Sequence, residues 1–258
     1  MNNRLEKIKE RFNDNIQKIQ KLMSLDEVVV KLALQALRRA EKAEKNLGCD
    51  KHPSYSISNE IKQIENIREN ESLKPSYQIM FNQCIVLLVS YFSSAIEDIF
   101  KESFKYKIKN VKLDGLGKEE VKITIGQYVL GLGHISDLFV AKKDISFQDM
   151  QSILRSFKKY IGVSAIDKDN DVDNIVLGQA CRNCIVHAGG VINPKTLGQI
   201  KTAEKRTIKT QIKLTDNILF EEDEVNAVKD SMVAFIDNLV MKVCEALEVE
   251  NTDKEAGL

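Results

Sequence analysis

The sequence has no tryptophan, and only 3 prolines and 12 glycines in 258 residues. Proline breaks helices and glycine loosens them, so their scarcity removes the usual interruptions to long helices. Charge of one sign is also missing. Lys+Arg and Asp+Glu are both 38, which gives a formal net charge of zero. A protein that coats nucleic acid is usually basic, so any RNA contact must be local and catalytic rather than a broad electrostatic grip. Five cysteines (Cys49, Cys84, Cys181, Cys184 and Cys244) are an odd set. A chain of this length can fold on its own core without disulfides or a structural metal. The first residues, MNNRLEKIKERFND, hold no apolar signal core, so a reducing, cytoplasmic setting is expected. The only long apolar run, Ile79 to Phe100, is broken by Asn82, Gln83, Ser90, Ser93, Ser94, Glu97 and Asp98. It reads as a core helix, and no membrane partner is expected. The phosphate-binding pattern GxxxxGK[ST] is absent too, although Gly115, Gly117, Gly126, Gly131 and Gly133 cluster in one region, which reads as a loop with some helix near 119–130.

What is present is helical periodicity. Leu5, Ile8, Phe12, Ile16, Ile19 and Leu22/Met23 recur at spacings of three and four, as on one face of a helix. A second helix is expected from Asp26 to Asn46, closed by Gly48, and the pair reads as an antiparallel hairpin forming an N-terminal arm, residues 1–54. The arm's stripe packs on its own domain or on a partner chain. The main helical domain is expected over 55–250, with a loose tail at 251–258. Inside it come a short amphipathic piece at Ile57, Ile61, Ile64 and Ile67, the apolar helix from Tyr77 to Tyr106, and a helix from a Ser146 cap to Tyr160. Pro194 is read as a turn, and alternation over 207–221 predicts a small β-hairpin. A final helix over Glu224–Leu247 carries a stripe of Val225, Val228, Met232, Phe235/Ile236, Leu239/Val240 and Val243. The fold class expected is all-α with that one hairpin.

The chemistry concentrates in Asn174–Asn193, NIVLGQACRNCIVHAGGVIN. An Asp/Asn-rich start at Asp169–Asn174 predicts a helix N-terminus, and Gly189-Gly190 predicts its end. Ile175, Leu177, Cys181, Cys184 and Ile185 mark the buried side. Arg182, Asn183 and His187 sit in the same helix, and arginine in a largely apolar helix needs a reason. At about 100° per residue Asn183 and His187 share a face, whereas Arg182 and His187 point about 140° apart. Arginine's length, distortion of the last turn, or a second copy across a two-fold axis could bring them together. Histidine at a helix C-terminus suits proton transfer near neutral pH, and arginine holds phosphate and stabilises charge developing on it. Such a pair could cleave RNA without metal, because the ribose 2′-hydroxyl is an internal nucleophile.

The string Arg182-Asn183-Cys184-Ile185-Val186-His187-Ala188-Gly189-Gly190 resembles the RNxxxH signature of the HEPN superfamily, over about residues 77–247. The resemblance implies a helical bundle, often a homodimer with both motifs facing one cleft, and metal-independent RNA cleavage in many members. It makes Arg182 and His187 the catalytic pair with Asn183 as helper, and Glu97 and Ser90 supporting positions. Some members are instead non-catalytic modules that dimerise or bind a nucleotide or partner. The implied setting is bacterial phage defence or a toxin-like stress response, with RNA as substrate and a regulatory protein or antitoxin as a further partner. Gly189 stands where one toxin branch, with an Rx4HxY motif, has tyrosine. Neither cofactor nor metal is expected.

Plainer readings stand beside these. Arg182 could be a structural arginine paired with Glu97 or Asp98, with His187 as a cap. Cys181 and Cys184 read as buried thiols, since no second metal-ligand pair accompanies them. His52 and His134 read as turn or loop residues. Lys201, Lys205, Arg206, Lys209 and Lys213 are the densest basic cluster; Lys205, Arg206 and Lys209 are candidates for steering RNA, or simply solvated surface. A purely structural coiled-coil adaptor built on residues 1–54 is a third possibility. The motif favours the nuclease; the neutral charge favours the binding and adaptor readings.

Overall fold

The computed structural model describes residues 1–47, 57–69, 73–110, 135–163, 166, 169–208 and 213–255. Among them the chain is all-helical. It forms α1 (Asn2–Met23), α2 (Leu25–Leu47), α3 (Ile57–Glu69), α4 (Lys74–Asn110), α5 (Ile135–Lys142), α6 (Met150–Ser156), α7 (Asn170–Ala188), α8 (Pro194–Lys201) and α9 (Glu222–Glu255). A π-helical turn, Phe157–Ile161, extends α6 and stops at Gly162, whose φ of 90° suits glycine. The boundary expected between residues 54 and 55, the region 111–134 and His52 and His134 lie outside the described residues.

The centre is α4, packed against α1, α7 and α9. By length and composition α4 could cross a membrane. Here Ile85, Leu88, Phe92, Ile96, Ile99 and Phe100 are buried in the core. The α1 stripe joins the same apolar cluster, with Leu5, Ile8, Phe12, Ile16, Ile19 and Met23 buried and only Leu22 exposed. The α9 stripe joins it too, from Val225 through Val243. Phe100 is the aromatic hub, with Phe104, Phe147, Phe157 and Tyr160 within 6.3 Å centroid to centroid. Lys107, buried nearby, donates to the Ile161 carbonyl at 3.0 Å, where the π-turn ends.

Several expectations are corrected. The helical ladder runs through Ser24, whose N–H reaches the Gln20 carbonyl while Val28 N–H reaches the Ser24 carbonyl. So α2 continues from α1 rather than folding back on it. It pairs instead with α3, antiparallel, through Arg38–Glu65 at 2.8 Å and Ser58 on Glu41. Asp149, not Ser146, caps α6, accepting from Ser152 N–H at 2.8 Å. Pro194 opens α8 behind an Asn193 cap instead of making a turn, a position where its missing N–H costs nothing. No strand occurs among the described residues, so the hairpin expected over 207–221 is not seen. Residues 209–212 of that stretch lie outside the described residues; among the described ones Asn217 forms an antiparallel bridge with Val191. The last helix runs to Glu255, beyond the expected end at Leu247 and into the segment read as a loose tail.

Candidate functional site

The α7 helix is set by its ends and by one small residue. Asp169 caps it, accepting from Val172 N–H at 2.9 Å. Its buried side carries Ile175, Leu177, Ala180, Cys181 and Cys184. At Gly178 the Val228 side chain lies 3.0 Å from where a Cβ would stand, so glycine lets α7 and α9 approach closely. At the other end Gly189 (φ 61°) and Gly190 (φ 81°) take the left-handed conformation, and Gly190 N–H returns to the Cys184 carbonyl at 3.1 Å.

The chain beyond folds across this end. Ile192 N–H donates to the Asp216 carbonyl, Thr215 N–H to Ile192, and Ile218 N–H to Gly190 at 2.9 Å. Asn82 on α4 clamps the same segment from behind. Its amide donates to the Ile218 carbonyl at 2.7 Å and its oxygen accepts from Phe220 N–H at 3.1 Å. The sequence offered a signal for this clamp, a carboxamide inside an apolar run, but gave no hint of its partner 136 residues away.

On the outward side of the same helix end stand the motif residues. Arg182 is half-buried and donates through Nη1 to Asn183 Oδ1 at 3.0 Å. Its Nε is buried with no hydrogen-bond partner. Among the described residues no carboxylate pairs with it. His187 is exposed, five residues on and about 7.5 Å further along the axis. The ideal 140° offset still separates the two, so within one chain they are neighbours rather than a touching pair.

The supporting positions are not drawn to Arg182. Glu97 pairs with Lys101 at 2.6 Å, and Lys101 also holds Asp137 at 2.7 Å. Asp98 pairs with Arg11. The structural pairing of Arg182 with Glu97 or Asp98 is therefore not what the fold uses. Ser90 is exposed and its hydroxyl donates to the Val86 carbonyl of its own helix at 2.7 Å.

Of the basic cluster, Lys205 lies toward the opposite end of α7. Lys205 N–H donates to buried Asp173 at 2.7 Å, and Thr207 exchanges hydrogen bonds with buried Asn174, which also reaches Ser231 at 3.0 Å. Arg206 is turned back onto the Ala203 carbonyl at 2.8 Å. Asp173 precedes His187 by fourteen residues, about 21 Å along the helix, so Lys205 does not adjoin the motif. Lys209 lies outside the described residues.

No group of three or more His, Cys, Asp or Glu suited to a metal occurs among the described residues. Cys181 is buried, and Cys184 donates to the Val191 carbonyl at 3.0 Å. Burial pushes the Cys181 thiol well up, and it pushes Cys84 up to about 11. A thiol held protonated in the fold favours the folded state only while the unfolded thiol is also protonated. Stability from Cys84 is thus complete below the ordinary value of 9.0 and falls as pH rises toward about 11. Urea titrations across that range should show a falling midpoint, and Cys84→Ala should flatten the fall relative to wild type.

No family model matches the chain, and neither a curated protein nor a solved structure matches it.

Proposed function

We propose that the protein is a metal-independent endoribonuclease of the HEPN type, acting in bacterial defence or a toxin-like stress response. The observation that carries this is the state of Arg182. A half-buried guanidinium is braced by Asn183, has no carboxylate partner among the described residues, and lies five residues before an exposed histidine in the same helix. Such a cation suits an anion arriving from solvent, and its planar fork suits a phosphate.

In this reading Arg182 holds the scissile phosphate and stabilises the charge that builds on its oxygens. The ribose 2′-oxygen attacks phosphorus and the bond to the 5′-oxygen breaks. His187 moves the protons, taking one from the 2′-hydroxyl or giving one to the departing 5′-oxygen. Asn183 fixes the direction of the guanidinium. A second copy across a two-fold axis supplies the complementary Arg182 or His187 that the 140° offset denies to one chain. The test is cleavage of RNA by the purified protein in EDTA, with end-group analysis. Products ending in a 2′,3′-cyclic phosphate, or a 2′- or 3′-phosphate, are expected. Cleavage lost on adding EDTA would overturn the mechanism.

A second reading, a non-catalytic module that binds a partner, draws on the apolar residues around the same end. Val186, Val191, Leu214 and Leu219 are each more than 40% exposed. It predicts that biological activity survives His187→Ala.

A further inference from the structure

Beside the end of α7 one residue holds a conformation that its side chain disfavours. Thr215 has a φ of 72°, in the left-handed region that glycine enters freely and a β-branched residue avoids. It stands third in a β-turn closed by Asp216 N–H on the Lys213 carbonyl at 3.2 Å, where a positive φ ordinarily calls for glycine or asparagine. Residues 213–217 are all exposed, so burial of the turn's own side chains does not impose that shape. A strained backbone persists only where its surroundings over-determine it, and such places gather at functional sites.

The surroundings here are backbone bonds and one side chain. Thr215 N–H donates to the Ile192 carbonyl at 2.9 Å, and Ile192 N–H to the Asp216 carbonyl at 3.0 Å. Asn82 commits both ends of its carboxamide to the same segment, donating to the Ile218 carbonyl at 2.7 Å and accepting from Phe220 N–H at 3.1 Å. Asn82 belongs to α4, so the turn is tied to the centre of the bundle as well as to the chain beyond α7.

This segment meets α7 on one side. The Cys184 thiol donates to the Val191 carbonyl at 3.0 Å, and Val191 is bridged to Asn217. At about 100° per residue His187 lies about 60° from Cys184 around the helix, and Arg182 about 160°. The pinned segment is therefore on the His187 side of the last turn and away from Arg182. Helices open first at their ends. Here the end is closed through Gly190, whose N–H returns to the Cys184 carbonyl at 3.1 Å and whose own carbonyl accepts from Ile218 N–H at 2.9 Å.

From this chain of bonds we propose that Asn82 is a positioning residue for His187. It holds residues 213–220 against Gly190, which fixes the last turn of α7 and with it the place of the imidazole. Arg182, on the other side and braced by Asn183 at 3.0 Å, does not depend on it. The kinetic consequence rests on the nuclease reading; the effect on the imidazole does not.

The test compares wild type, Asn82→Ala and Asn82→Ala/Thr215→Gly where circular dichroism shows each folded. Asn82→Asp has the same size, keeps the acceptor for Phe220 and loses the donor to Ile218. It takes the alanine variant's place if that one does not fold. In Asn82→Ala the kcat of RNA cleavage should fall by about 100-fold, the cost of a misplacement of about 1 Å. KM should be unchanged, because Arg182 is untouched. Adding Thr215→Gly should restore most of kcat, since glycine keeps the turn without strain. Carbon–proton NMR follows the imidazole directly. The chain has 3 histidines, and the signal missing from His187→Ala identifies this one. It should move or broaden in Asn82→Ala and return in the double variant. An Asn82 that serves stability alone would lower the urea midpoint and leave kcat and the His187 signal as in wild type, and that result would overturn the proposal. If wild type cuts no RNA, the nuclease reading falls and the NMR comparison still decides this one. An unmoved His187 signal then overturns it, and a moved one supports it.

Discussion

Replacing His187 with alanine is expected to lower RNA cleavage by about 10²–10⁴-fold, the range in which a positioned proton-transfer group contributes. The fold should be indifferent to the change. The side chain is exposed, and the helix end is secured by Gly189, Gly190 and the 215–218 segment rather than by the imidazole. Stability should therefore change by no more than about 0.5 kcal/mol, as for ordinary surface positions. Arg182→Ala should be equally damaging to cleavage, and Arg182→Lys should restore little. A lysine cannot reproduce the planar fork or the contact that Nη1 makes with Asn183. Parallel cleavage assays and urea titrations check both halves of the expectation. Unaltered cutting by folded His187→Ala would remove that residue from the chemistry.

The largest effect on stability is expected from Phe100→Ala. The ring is fully buried, edge-on or tilted to Phe147 and Phe157 at 5.4 Å and to Tyr160 at 6.3 Å, and stacked on Phe104 at 5.8 Å. Those neighbours come from α4, from the turn before α6 and from the π-turn after it, so no single element can move in to fill the space. Truncation of such a phenylalanine costs about 3–5 kcal/mol. Urea unfolding followed by circular dichroism should show that drop as a lower midpoint with an unchanged slope. A loss below about 1 kcal/mol would mean the cluster repacks, and the hub described here would not be the centre of the core.

The features readable in the sequence are the ones fixed within a few turns of chain. The α1 and α9 stripes and the Gly189–Gly190 stop each rest on local spacing or on a residue's own backbone preference. What failed depended on competition between distant partners. Glu97 looked free to support Arg182 because nothing in the sequence says that Lys101, one turn away, lies where Asp137 also reaches it. The alternation over 207–221 suggested self-pairing, yet the described end of that stretch pairs with residues 190–192 beyond α7. Asn193-Pro194 suits either a turn or a helix start, and only the cap that Asn193 gives to Thr196 decides between them. Likewise the break expected before Asp26 does not fold the chain back, because the backbone at Ser24 keeps the helical ladder and carries α2 outward. For the candidate site, the helix, its caps and its three polar residues were legible. The clamp from Asn82 and the distance of Lys205 from His187 were not, because both depend on tertiary packing.

The measurement that bears most directly on the central claim uses an RNA oligomer with one cut site and its twin carrying a single 2′-deoxy sugar on the 5′ side of that linkage. Both are incubated with the protein in EDTA. Attack by the 2′-oxygen predicts that the all-ribose oligomer is cut to a cyclic-phosphate end while the deoxy twin stays intact at that linkage. Equal cutting of both would contradict the mechanism assigned to Arg182 and His187.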